Sequence, residues 1–127
     1  MSLSAANGVR ALVVLVVEDE ALLRYDVAEC LRGAGYAVVE AASGEEAIVL
    51  CKSDMTIDMV FTDINLDGPM SGWDVAECFR LERPNAPVLY ASGKAIDAQR
   101  CVPGSVFFAK PYDSDAIVEA CEQLRTK

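Results

Sequence analysis

Ala11-Leu12-Val13-Val14-Leu15-Val16-Val17, followed at once by Glu18-Asp19-Glu20, is the stretch on which the fold turns. The apolar run is far too short to cross a bilayer. It is also too uniformly apolar for a strand with one wet face, so it reads as a strand buried on both sides, the kind found in parallel sheets. Four more compact runs share this character: Tyr36 to Glu40, Met59 to Thr62, Val88 to Ala91 and Ser105 to Ala109. Amphipathic stretches alternate with them, and alternation of this kind predicts an α/β fold, a doubly wound five-stranded parallel sheet with helices on both faces. The first helix is expected from Glu20 to Gly33, with Leu22, Leu23, Val27, Cys30 and Leu31 inward. Ser43 with Glu46 three residues on has the pattern of a capping box and starts the second, which buries Ala47, Ile48, Leu50 and Cys51. A third runs from about Gly72 to Leu81, with Trp73, Val75, Ala76 and Phe79 inward, and a last one follows Pro111 with Asp113 or Ser114 as cap. Only Ala95 to Arg100 is left for a fourth helix, which is therefore shortened to a turn or two.

The whole chain is 127 residues, one domain's worth, and residues 9–127 are assigned to it; Met1 to Gly8, small and polar, is read as a disordered leader. A net charge of −9, from 20 acids against 11 bases, repels phosphate backbones and anionic lipid, so no direct nucleic-acid or membrane partner is expected. There is no histidine, which removes Ser-His-Asp and Cys-His catalysis, histidine zinc sites and any phosphohistidine donor within this chain. The five cysteines are at least twenty residues apart and odd in number, and read as reduced core or helix-face thiols of a cytoplasmic protein.

In an open parallel sheet, ligands bind beyond the carboxyl ends of the strands. Those ends carry Glu18-Asp19-Glu20, Asp63, Ser92-Gly93 and Lys110-Pro111. A pair of carboxylates about 4 Å apart repels by roughly 4 kcal/mol at an effective dielectric near 20, so clustered acids call for a cation. Oxygen-only ligands with room for water favour Mg2+ over zinc or calcium. A cation, the Lys110 ammonium, a small hydroxyl and the amides around Ile64, Asn65 and Gly93 form a cradle for a phosphoryl group, with Asp63 placed as acceptor.

Four pieces, Val17-Glu18-Asp19-Glu20, Thr62-Asp63-Ile64-Asn65, Ala91-Ser92-Gly93 and Ala109-Lys110-Pro111-Tyr112, together resemble the receiver domain of two-component response regulators over essentially the whole chain. The resemblance implies a sheet of order 2-1-3-4-5, Asp63 as phosphoacceptor, and Mg2+ held by Glu18, Asp19, Asp63 and the backbone carbonyl of Asn65. It further implies that Ser92 and Lys110 bind the phosphoryl oxygens and that Ser92 and Phe107 occupy the switch positions. A sensor histidine kinase or phosphotransfer protein is implied as donor, an unidentified protein as downstream target, and homodimer formation is left open. The sequence departs from the family pattern in several places. Glu18-Asp19 stands where two aspartates are commoner, Asp67 replaces a usual proline, and Gly68-Pro69-Met70 lengthens the loop before Gly72. Phe107 lacks the tyrosine hydroxyl of many receivers, and Tyr90-Ala91-Ser92-Gly93 before a curtailed fourth helix resembles a subgroup of short receivers.

Simpler readings exist for each residue taken alone. An acidic pair can be a solvated turn, Asp63 a cap, Ser92 a turn residue and Lys110 a surface lysine; Trp73 and Phe79 read as core. Three rival functions stand beside this one. An aspartyl phosphatase of the haloacid-dehalogenase type needs an acid two residues after its nucleophile, where this chain has Asn65. A flavodoxin-like carrier needs a phosphate-binding first loop, which Glu18-Asp19-Glu20 would repel. A phosphorylation-independent binding module is the third. No separate turnover enzyme is expected; the phosphoacceptor assists its own phosphoryl transfer and hydrolysis.

Overall fold

A computed structural model of the chain describes residues 10–125, so the leader expected at Met1 to Gly8 lies outside the described residues. Five strands, β1 (Val13–Val17), β2 (Ala37–Ala41), β3 (Met59–Asp63), β4 (Val88–Ser92) and β5 (Val106–Ala109), pair in the order β2-β1-β3-β4-β5, every neighbour parallel. Four α-helices connect or follow them: α1 (Ala21–Gly33), α2 (Gly44–Lys52), α3 (Gly72–Glu82) and α4 (Ser114–Arg125). The two-residue period of a strand splits β1 between two cores. Leu15 and Val17 face Ala47 and Cys51 of α2 and Val75, Ala76 and Phe79 of α3. Val14 and Val16 face Val27 and Leu31 of α1 and Ile117 and Cys121 of α4. All residues of β3 and β4 are buried, which accounts for the apolar runs Met59 to Phe61 and Val88 to Ala91 that precede their polar ends.

Two local expectations are corrected. Leu22 was expected inward but is 82% exposed, because the buried stripe of α1 follows the four-residue steps Leu23, Val27 and Leu31 and leaves Leu22 a residue's rotation outside it. At α2, Ser43 Oγ accepts the Glu46 N–H at 3.1 Å, but Glu46 answers to the N–H of Ala42 at 3.0 Å rather than that of Ser43, so the box does not close on itself. A reciprocal box does form at α3, between Ser71 and Asp74, where the aspartate escaped a pattern sought with Glu or Gln. At α4 the cap is Asp113, whose side chain accepts the Asp115 N–H at 3.0 Å. All five cysteines are free thiols, with Cys51 and Cys121 buried.

The fourth helix is reduced to a single 3-10 turn, Ala98–Arg100. Side-chain bonds fix the connection in its place. The buried Tyr90 hydroxyl accepts the Val102 N–H at 3.2 Å, and Arg80 donates to the Pro103 carbonyl at 2.7 Å. Arg100 pairs with Glu77 at 3.2 Å and lies over the Trp73 ring, which itself packs on Tyr90 with centroids 5.1 Å apart. No helix among the described residues is long and apolar enough to cross a membrane.

The loop between β3 and α3 doubles back so tightly that the Gly72 N–H donates to the Ile64 carbonyl at 2.8 Å. A Cβ at Gly72 would stand 2.1 Å from the Asp63 carbonyl oxygen and 2.7 Å from the Ile64 Cα, both backbone atoms with nowhere to go. We expect Gly72→Ala to lower unfolding free energy by about 3 kcal/mol in denaturant titration, the upper part of the range for overpacking. A loss under about 0.5 kcal/mol would mean that this approach is not held in solution.

Candidate functional site

Parallel pairing in register brings the strand ends to one rim. Val17 lies beside Thr62, Asp63 beside Ala91, and Ser92 beside Ala109, so the residues at or just past these ends, Glu18, Asp63, Ser92 and Lys110, converge there. Glu18 follows β1 and is only 1% exposed. Its Oε1 receives Lys110 Nζ at 3.0 Å and its Oε2 the Glu20 N–H at 3.0 Å. Asp63, the last residue of β3 and 5% exposed, receives Lys110 Nζ on Oδ2 at 3.1 Å and the Asn65 N–H on Oδ1 at 3.3 Å. Asp19, half-buried, accepts the Asp67 N–H on Oδ2 at 2.8 Å. Carboxylate oxygens of Glu18, Asp19 and Asp63 all fall within 4.8 Å of one another.

The electrostatics follow from this crowding. Burial, above all, pushes both the Glu18 and the Asp63 carboxyls above their ordinary range, and each also feels another carboxylate; the Lys110 ammonium opposes both shifts without cancelling them. For Asp19 burial also pushes upward, but hydrogen bonds led by the Asp67 N–H outweigh it and hold the group below its ordinary value. Burial works against the Lys110 charge, and its bonds to Glu18 and Asp63 more than restore it. Fully ionised, three carboxylates and one ammonium leave a pocket charge of −2. In the absence of a cation this arrangement opposes folding. Glu18→Gln, which keeps the shape and removes one buried charge, is therefore expected to raise stability in EDTA by about 1 kcal/mol. In Mg2+ the order is expected to invert, since an amide offers a divalent cation less than a carboxylate does. A variant less stable than wild type in both media would contradict the charge balance drawn here.

Ser92, 2% exposed, accepts on Oγ from the Asn65 side-chain amide at 2.8 Å and from the Lys94 N–H at 3.0 Å. With both lone pairs engaged, its own O–H is left to donate. Lys110 is anchored by its N–H to the Ser92 carbonyl at 2.9 Å, and the Lys110–Pro111 peptide is cis. Phe107 is half-buried in β5, in register with Tyr90, and packs into the core on the α2 and α3 side. One expectation fails: the Ile64 N–H is taken up by the Ala91 carbonyl at 2.9 Å, because sheet pairing continues one residue past Asp63, so it is withdrawn from any phosphate cradle.

Several contributors had no sequence signal strong enough to find them. The Asn65 side chain bridges to Ser92, a contact fixed by loop shape. Arg24 buttresses the acidic corner by donating to the Glu18 carbonyl at 2.8 Å and pairing with Glu40 at 3.2 Å. Tyr112 packs edge-on against Phe61 and lines a cavity of about 300 Å3 with Leu23, Lys110 and Pro111. Its buried hydroxyl has no hydrogen-bond partner, and burial followed by the fields of Glu18 and Asp63 pushes its pKa well up.

A parallel sheet of order 2-1-3-4-5 with an acid pocket and a lysine at its switch point defines a narrow class of α/β proteins. Comparison with known families places the chain within that class: residues 14–122 match the response regulator receiver domain, and the chain belongs to that family, the receiver domain of a two-component response regulator. A response regulator receiver protein of Sinorhizobium medicae superposes with a TM-score of 0.88 at 39% identity, over 91% of this chain and 95% of that one. The receiver domain of the hybrid histidine kinase CckA does so with a TM-score of 0.76 at 34% identity, over 88% of this chain and 97% of that one. PdtaR, a transcriptional regulatory protein of Mycobacterium tuberculosis, is 32% identical over 114 residues, 86% of this chain and 54% of its own length. The chain spans about half the length of the curated relatives it matches first, 48% and 54%. Those relatives are regulators, and a receiver is a signalling domain.

Proposed function

We propose that the chain accepts a phosphoryl group on Asp63 from a phosphohistidine of a sensor histidine kinase or phosphotransfer protein, and passes the signal on as a change of surface. The observation that carries this reading is the Lys110 ammonium shared between two buried carboxylates, Glu18 and Asp63, with Asp19 completing the cluster. An Asp63 oxygen attacks phosphorus, the phosphorus–nitrogen bond to the donor imidazole breaks, and the imidazole departs with the electron pair and takes up a proton. The product is an acyl phosphate, which water later hydrolyses. Lys110 and the Ser92 hydroxyl offer donors to the phosphoryl oxygens, where charge accumulates during transfer. The partner supplies the histidine, since this chain has none.

The residues fit a divalent cation. The donor set is oxygen only, the pocket charge is −2, and the cluster would otherwise rest on a single ammonium. Glu18, Asp19, Asp63 and the Asn65 carbonyl would hold Mg2+. When bound, it supplies neutralisation of the phosphoryl oxygens. The domain acts in the cytoplasm, by this reading, where kinase and phosphodonor are available. The downstream target is a protein, reached through the β4, β5 and α4 region whose connection is remodelled by the 3-10 turn. Residue 65 is an asparagine whose amide donates to Ser92, and an amide cannot serve as the general acid that turnover of the aspartyl-phosphatase kind requires, which argues against that reading.

Incubation with acetyl phosphate, with and without Mg2+, followed by intact mass measurement, tests the proposal. One phosphoryl group added only with the cation supports it. No addition to a protein shown to be folded would indicate a phosphorylation-independent binding module instead.

A further inference from the structure

Of the three clustered carboxylates, two are fixed from within. Glu18 and Asp63 are buried at strand ends and share Lys110. Asp19 lies one step beyond β1 and is half-buried; its bond at 2.8 Å comes from across the pocket, from the main-chain N–H of Asp67 in the loop between β3 and α3. That loop is itself secured at both ends. On the near side, the Asn65 N–H and side chain bond to Asp63 and Ser92. On the far side, Gly68 takes a φ of +95° at a point where a Cβ would stand 3.2 Å from the Glu45 carboxylate, the Met70 backbone abuts Gly44, and Ser71 closes the capping box of α3. The N–H of residue 67 is therefore presented at a fixed place rather than by a loose strand of chain. It occupies one lone pair of one oxygen and leaves the remainder of the carboxylate for a ligand.

We propose that the Asp67 main-chain N–H is a positioning donor that sets the cation affinity of the acidic pocket by orienting Asp19, and that cation binding in turn tightens the 64–70 loop. Residues that hydrogen-bond a ligating carboxylate typically contribute ten- to a hundredfold to metal affinity. The coupling is reciprocal by linkage: a bond that favours the bound cation is strengthened by it. The receiver pattern noted above commonly has proline at this position, and proline has no N–H to give. The replacement of that proline by Asp67 thus adds a contact, and the Asp67 carboxylate, which reaches that of Asp19, adds a separable negative charge beside the pocket. This inference rests on the reading of the pocket as a divalent-cation site.

The experiment separates the two contributions of one residue. Mg2+ binding is titrated by the fluorescence of the single tryptophan, Trp73, in the first turn of α3, at constant ionic strength. Asp67→Ala keeps the N–H and removes the carboxylate, and should weaken Mg2+ binding by about threefold, the scale of one partly screened charge beside the pocket. Asp67→Pro removes both and should weaken it about tenfold further. Should the proline variant fail to show a wild-type melting transition, an amide-to-ester replacement at residue 67 takes its place. It can be installed in a synthetic segment joined at Cys51 and Cys78, and it deletes the N–H while keeping the aspartate side chain. Hydrogen–deuterium exchange at the Asp67 amide should slow on Mg2+ addition in both wild type and Asp67→Ala. Equal affinities for Asp67→Ala and Asp67→Pro, or for wild type and the ester, or unchanged exchange at residue 67 on saturation, would overturn the inference while leaving the cation site standing. Absence of saturable Mg2+ binding by wild type would remove the cation reading, and this inference with it.

Discussion

Asp63→Asn is expected to take up no phosphoryl group from acetyl phosphate under conditions that should modify wild type. The amide is close to the carboxylate in shape but its oxygen carries no full charge, so it does not attack phosphorus and draws a hard cation more weakly than a carboxylate does. The fold should survive the change. Asp63 is 5% exposed and its charged form is disfavoured by burial, so neutralising it relieves the pocket, and Lys110 keeps Glu18 as a partner at 3.0 Å. The expected pairing is thus total loss of uptake, read by intact mass, with a melting temperature at or above that of wild type in EDTA. Phosphorylation persisting in a folded Asp63→Asn would move the acceptor to another residue.

The second large effect is on stability. Lys110→Met removes the ammonium that lies between Glu18 and Asp63 and leaves two buried carboxylates, 2% and 7% exposed in their side chains, with no cationic partner among the described residues. Breaking a buried pair by deleting one partner costs about 3 to 5 kcal/mol. For a domain of this size that corresponds to a fall of roughly 10 °C or more in melting temperature. Mg2+ should restore more stability to this variant than to wild type, because a divalent cation then meets a pocket charge of −3 rather than −2. Calorimetry in EDTA and in Mg2+ reads both parts. A variant that melts within about 2 °C of wild type in EDTA would show that the ammonium does not carry the charge balance of the pocket.

Much of this was readable beforehand, and the reasons differ from element to element. Buried parallel strands advertise themselves because both faces must be apolar, so Val13 to Val17 and Met59 to Phe61 have no competing interpretation. The rim residues were readable because polar groups placed directly after such runs can only stand at strand ends, where Glu18, Asp63, Ser92 and Lys110 are found. What the sequence left obscure depends on loop geometry. Whether Glu46 caps Ser43 or Ala42 is a matter of one residue's rotation, and whether the Ile64 N–H is free depends on where sheet pairing stops. The Asp67 N–H is a main-chain group common to every residue but proline, so no pattern of side chains announces its bond to Asp19. The short connection after β4 was visible as missing length. Its fastening through Tyr90, Arg80 and Arg100 was not, since those side chains come from different elements and meet only in the folded molecule.

The roles at the rim reduce to one claim, that Asp63 carries the phosphoryl group. An acyl phosphate is reduced by borohydride to the corresponding alcohol, which converts a phosphorylated aspartate into homoserine at its own position. Wild type treated with acetyl phosphate and Mg2+, reduced, digested and sequenced by mass spectrometry should contain homoserine at residue 63 and nowhere else. Homoserine at residue 19 or 67, or reduction of a glutamate at residue 18, would contradict the account.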